Sequence, residues 1–221
     1  MPWASSVSGI LQAWYGGNET GNAIADVLYG DVNPSGKLPL SFPVRVEDNP
    51  TYLNYRSERG RVLYGEDIYI GYRFYESTRR ETKYPFGWGL SYTSFRLSEL
   101  DIIHGNYAGS KEILTVSVVV ENTGGFDGAE VVQVYVSHAK PSIKRPPKEL
   151  KGFSKAFVKK EASAVVKVPI ERKYATSFWD EERDMWIEEG GSYDVFVGSS
   201  SMATPLKGSF VVEETSWWSG L

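Results

Sequence analysis

The chain has 221 residues with a formal net charge of -4; 41% of them are hydrophobic and 24% charged, and there are two histidines and no cysteine. That length allows one large domain or two smaller ones; the charge offers nothing to a polyanion, so nucleic acid is not an expected partner, and without thiols neither a disulfide framework nor a thiolate metal site can form. No apolar run approaches the about 18 residues of a membrane span, and the opening "MPWA" lacks the basic start and apolar stretch of a secretion signal. No membrane partner is expected, and the sequence leaves secreted and cytoplasmic localisation both open, any export signal lying outside this piece.

In chain order, "ILQAWYGG" (10–17) reads as a buried strand running into a tight turn. Ala23, Ile24, Val27 and Leu28 then recur on one face of a helix of about three turns, with Asn18 or Thr20 as its side-chain cap and Gly30 as its left-handed stop. This βα unit is followed by an extended segment, "GKLPLSFP" (36–43). The glycines of "GGNETG" could offer free N–H groups to a phosphate, but their spacing fits no phosphate loop and Glu19 would repel an anion, so a tight turn bearing a capping acid is the better reading. The same turn holds a glycosylation sequon, Asn18-Glu19-Thr20, at a point expected to be packed.

The segment "YGEDIYIGYRFYE" (64–76) concentrates functional-looking residues. Carboxylates accept hydrogen bonds from sugar hydroxyls and aromatic faces cover sugar C–H surfaces, which makes Glu66 and Asp67 the candidate substrate-binding residues. The favoured alternative is a packing ribbon of Tyr64, Tyr69, Tyr72 and Tyr75 whose acids pair with Arg59, Arg61 or Arg73. The spacing of three between Tyr69, Tyr72 and Tyr75 fits neither strand alternation nor a clear helix.

Composition shifts near residue 93. Leu114, Val116, Val118 and Val120 alternate with a mostly polar set, and "AEVVQVYVS", "LKGFSKAFV", "SAVVKVPIE", "GSYDVFVGSSS" and "KGSFVVEE" repeat the period between turn clusters. Six or seven strands in about 120 residues predict a β-sandwich. Within it, "KPSIKRPPKELKG" (140–152) is expected to be a solvated basic loop, and His104 and His138 to be surface residues, since neither has the partners of a metal site or triad. No catalytic residue, metal ligand or cofactor motif is identified.

Several quoted stretches together, "AWYGGNETGNAIADVLYGDVNPSGKLPLSFP", "YGEDIYIGYRFYE", "YPFGWGLSYTSF", "VENTGGFDGAEVVQVYV", "RPPKELKGF" and the closing "WWSGL", make the chain similar to the carboxyl-terminal part of glycoside hydrolase family 3, specifically the fungal and bacterial β-glucosidases. The resemblance implies a mixed fold: residues 1–92 as the end of an α/β sandwich domain plus an inter-domain ribbon, and residues 93–221 as an all-β fibronectin type III-like sandwich. It implies a fragment whose partners are an upstream barrel and the rest of the α/β domain, with no metal or cofactor. Retaining glycosidases use two carboxyl groups about 5–5.5 Å apart; in this family the nucleophilic aspartate lies on the barrel and the acid/base glutamate upstream of the Gly-Gly-Asn-Glu-Thr-Gly motif, so neither role passes to Glu19, Glu66 or Asp67 and the fragment alone is expected to be inactive. Two rivals remain at this stage: a free-standing sandwich module binding protein or carbohydrate, and a family member acting on xylosides. Oligomeric state is left open.

Overall fold

The computed structural model describes residues 1–107 and 111–219. The first ninety residues hold little regular structure: helix α1 (Thr20–Tyr29), the two-residue strand β1 (Phe42–Pro43), helix α2 (Tyr72–Thr78) and strand β2 (Thr82–Tyr84), which pairs antiparallel with β1. The rest is β-structure: β3 (Phe95–Tyr107), β4 (Lys111–Asn122), β5 (Gly128–His138), β6 (Glu149–Val158) and β7 (Ser163–Glu171), then the short helix α3 (Arg172–Thr176). Strands β8 (Phe178–Asp180), β9 (Met185–Glu188), β10 (Gly191–Gly198), β11 (Leu206–Val212) and β12 (Ser216–Trp218) complete it.

Two antiparallel sheets form the sandwich, one ordered β11-β10-β5-β6 and the other β3-β4-β7. Their inner faces are the alternating residues expected: Leu114, Val116, Val118 and Val120 from β4 meet Val132, Val134 and Val136 from β5, with Val166, Val168, Ile170, Tyr193, Val195, Val197 and Phe210 closing the core. Burying a Val, Leu or Ile side chain contributes roughly 1.5–3 kcal/mol, so this contiguous cluster is what holds the chain together. A third small sheet, β12-β9-β8, lies beyond α3.

Strand β3 is absent from the expected set because its pattern breaks. The register with β4 shifts between Ser98 and Asp101, and Glu99 sits at φ 54°. Such a bulge inserts a residue and reverses facing parity; Phe95 and Leu97 pack on the core before it, Leu100 and Ile102 after it, so no single period of two runs through the strand.

The amino-terminal part departs from the expected βα unit. Residues 10–15 form no strand, and Ile10, Leu11, Trp14 and Tyr15 are exposed, because no neighbouring strand among the described residues supplies hydrogen-bond partners. Helix α1 buries none of its residues and Leu28 is 67% exposed. No side chain caps its first turn: the Thr20 hydroxyl donates back to the Gly17 carbonyl at 2.6 Å, and Glu19 accepts from the Asn22 amide at 2.6 Å. Gly30 ends the helix at φ 85°, its N–H donating to the Val27 carbonyl, as its lack of a Cβ allows.

Candidate functional site

The ribbon of residues 64–76 lies on the sandwich through one face of a helix. Tyr69, Tyr72, Arg73 and Glu76 are spaced i, i+3, i+4, i+7, which places them along a single helical stripe; α2 starts at Tyr72 and Tyr69 is drawn into line by a turn from the Glu66 carbonyl to the Tyr69 N–H. The helix was hidden in the sequence because it is only seven residues long, too short for a spacing of three to separate it from a turn. Tyr72 stacks on Phe86 with ring centroids 4.8 Å apart, meets Tyr135 edge-on at 5.9 Å and accepts the Leu150 N–H at 2.8 Å. Burial pushes the phenols of Tyr72 and Tyr135 up, so both stay neutral donors or acceptors. Tyr69 donates to the Lys144 carbonyl at 3.2 Å, while Tyr75 is itself buried, leaving only Tyr64 of this set fully at the surface.

Beneath the stripe lies an ionic cluster that the sequence did not announce. Glu149, at the start of β6, receives Arg73 at 3.2 Å, Arg145 at 3.2 Å and Lys151 at 3.6 Å. Burial raises its carboxyl, but Lys151, Arg73 and Arg145 outweigh that and hold it below the ordinary carboxylate range. Burial conversely lowers the Lys151 ammonium against the pull of Glu149. Arg145 also donates to the Thr176 carbonyl at 2.9 Å and lies over the Phe178 ring. Lys148 reaches Glu76 at 3.3 Å and sits over Tyr135 and Phe196. The Glu76 carboxyl is pushed up by burial, which exceeds the opposing effects of Lys148 and Ser201. The stretch 140–152 is therefore not a solvated basic loop: Arg145, Lys148 and Lys151 are turned inward, with side-chain exposures of 9%, 14% and 15%. Arginine guanidinium planes and acids supplied by the ribbon are what make that burial tolerable.

A second set of contacts ties residues 33–38 to the same sandwich. Asn33 donates to the Asp127 carbonyl at 2.9 Å and accepts from Ser91 and the Tyr92 N–H. Lys37 bridges the Gly89 carbonyl and Glu130, each at 2.8 Å. The segment "GKLPLSFP" does run extended, exchanging backbone bonds between Leu38 and both Gly87 and Trp88 before entering β1.

The candidate carboxylates part company. Glu66 is buried and accepts from the Asn54 amide at 3.1 Å. Asp67 is exposed at φ 51° and has no hydrogen bond or ion pair among the described residues. Neither pairs with an arginine as expected: Arg73 is taken by Glu149, and Arg59 and Arg61 are exposed around the bridge between Glu58 and Arg61. Asn18 is exposed in its turn, contrary to the packing expected there. His104 lies within β3 with its ring edge-on to Phe210, and His138 is half-buried against Tyr193, accepting the Lys140 N–H at Nδ1. Among the described residues no group of three or more potential ligands is placed to hold a metal ion. The chemistry present is thus positional: an aromatic and ionic lock fixing the ribbon to the sandwich.

Comparison with known proteins places this arrangement. The glycosyl hydrolase family 3 C-terminal domain matches residues 1–92 and the fibronectin type III-like domain matches residues 130–201. A probable beta-glucosidase I from Aspergillus terreus is 53% identical over 225 residues, covering 100% of this chain and 27% of its own length. A probable beta-glucosidase H from Aspergillus fumigatus is 53% identical over 221 residues, 26% of its length. Among solved structures, a beta-glucosidase from Kluyveromyces marxianus superposes with a TM-score of 0.92 at 48% identity, over 100% of this chain and 26% of that one. Beta-glucosidase 3B from Thermotoga neapolitana, solved with glucose, gives 0.89 at 41% identity over 99% and 30%. The chain spans about a quarter of the length of these relatives.

Proposed function

Because the chain belongs to glycoside hydrolase family 3 and matches the carboxyl-terminal part of its β-glucosidases, we propose that it serves as that part of a retaining enzyme removing terminal β-D-glucosyl residues from β-glucosides and short oligosaccharides. The observation that carries this reading is likeness along the whole chain, through the irregular first ninety residues as well as the sandwich. A free-standing sandwich module has no use for those ninety residues.

In this reading residues 1–92 and 93–221 are two units. The first presents apolar side chains to the remainder of the enzyme: Tyr15, Leu28, Tyr29, Leu53 and Leu63 all stand exposed, and exposed apolar surface on this scale is the mark of an interface. The second unit is the anchor. The stripe of α2 and the Glu149 cluster fix the connecting ribbon, so that the first unit meets the barrel in one orientation, and positioning of that kind strongly affects rates at a catalytic centre. Both catalytic carboxyls belong to the portion of the family fold outside these 221 residues; Glu66 and Asp67 are ribbon residues without a chemical step.

The test is a chimera in which this chain replaces the corresponding segment of the Kluyveromyces marxianus enzyme. The chimera is expected to release 4-nitrophenol from the aryl β-glucoside, while the 221-residue chain alone does not. A folded chimera without turnover, or turnover by the purified chain alone that a glucosidase inhibitor blocks, overturns the reading.

A further inference from the structure

The small sheet β12-β9-β8 carries a pattern that the lock does not explain. Trp179 of β8 and Trp218 of β12 both stand directly opposite Trp186 of β9, so the three indoles share one face of the sheet. The other face carries Phe178 and Ile187 and points inward: Ile187 is buried, and the Arg145 guanidinium lies over Phe178. The tryptophans therefore occupy the outward face, where alternation normally places polar residues. Tyr174 of α3 extends the row, giving four rings, Trp179, Trp186, Trp218 and Tyr174, with successive centroids 5.6, 5.7 and 5.6 Å apart. Both ends of the strip are open, with Trp179 43% and Tyr174 42% exposed. The Trp218 indole is held in orientation by donating to the Ser177 hydroxyl at 3.0 Å.

We propose that this aromatic strip binds a β-linked glucan chain. Pyranose rings offer C–H surfaces of slight positive charge to the negative faces of indoles, and equatorial β-linkages keep successive rings extended along a row of such platforms. The exposed β8–β9 turn beside the strip holds Glu181, Glu182 and Arg183, and Lys173 lies over Trp218. Acceptors and donors in balance suit a neutral polyhydroxyl ligand better than a polyanion. A second copy of the chain is a poor occupant on area: at about 250 Å² per ring, rings no more than 43% exposed offer together about 400 Å², half of the about 800 Å² each partner of a stable pair buries. The choice of β-linked glucose as the repeating unit rests on the β-glucosidase reading.

Native electrophoresis of the 221-residue chain through gels containing barley β-glucan, laminarin or dextran tests the assignment, with the α-linked dextran as control. Retardation by at least one β-glucan and not by dextran is expected. Trp179→Ala is expected to weaken it about five-fold, a stacking contact of about 1 kcal/mol, and Trp179→Phe, which restores a ring, to recover most of it. Tyr174→Ser, at the far end of the strip, decides the matter if Trp179→Ala loses its near-ultraviolet circular dichroism. No retardation by either β-glucan, equal retardation by dextran, unchanged retardation in both ring-removing variants, or a dimer that Trp179→Ala abolishes would each overturn the proposal. Retention needs no turnover, so its failure leaves the chimera's hydrolysis unaffected, and an inactive chimera leaves retention to be read by itself.

Discussion

Glu149→Gln is the substitution that most directly probes the lock. The wild-type carboxylate balances Arg73, Arg145 and Lys151 at 3.2, 3.2 and 3.6 Å; the amide keeps its size but leaves these cations without their anion and turns an N–H₂ group toward one of them. Removing one partner of a buried ion pair costs about 3–5 kcal/mol. Glu149 keeps 14% side-chain exposure, which places the loss near the lower bound, about 3 kcal/mol. At about 2–4 °C per kcal/mol for a chain of this size, Tm should fall by about 6–12 °C at pH 7. The pH dependence gives a second, independent sign. The folded Glu149 carboxyl lies below its ordinary value of 4.5, so its contribution is fully present above that value and is lost as pH falls through the folded one. The gap between wild type and variant, followed by circular dichroism melts, should therefore narrow in acid. A variant melting within about 2 °C of wild type at pH 7, or a gap that widens as pH falls, would refute the argument that this cluster fixes the ribbon.

Glu76→Gln should behave oppositely: burial raises the wild-type carboxyl, so the wild type gains stability relative to the variant as pH falls through that raised value, and melts showing a constant difference would contradict it. Gly87→Ala should cost about 2–4 kcal/mol in chemical denaturation, because Gly87 sits at φ 79° and a Cβ would run into the Gln133 amide that bonds the Gly87 and Ser199 carbonyls; an unmoved midpoint tells against it. Asp67→Asn, at an exposed site without a partner, should change stability by no more than about 0.5 kcal/mol, and a larger loss in the same assay would mean that a contact at Asp67 matters. Trypsin should cut first at exposed Arg56, Arg59 and Arg61 and leave a sandwich-sized product resistant, since the contiguous hydrophobic core lies between Leu114 and Val212; mass spectrometry showing first cuts within β4 or β5 would contradict that order.

The sequence by itself determined the elements whose signals are local. Period-two runs in β4, β5, β6, β7, β10 and β11 specify strands because a pleated backbone turns alternate side chains to opposite faces, and Gly30 marks a helix end because a residue without Cβ takes the left-handed conformation freely. Ordered motifs along the whole chain were enough for the family. Tertiary structure decided the rest. The bulge at Glu99 reversed the facing of β3, and the tryptophan row of β8, β9 and β12 exists only once three strands of three or four residues are set side by side. The strand expected over residues 10–17 did not form, since a strand's hydrogen bonds belong to its neighbours rather than to its own residues. The fate of the charges was equally non-local. Whether Lys148 or Arg145 is solvated or buried depends on an acid and aromatic rings brought over them from as far away as Glu76 and Tyr135, and the free energy of a charge depends on what surrounds it after folding.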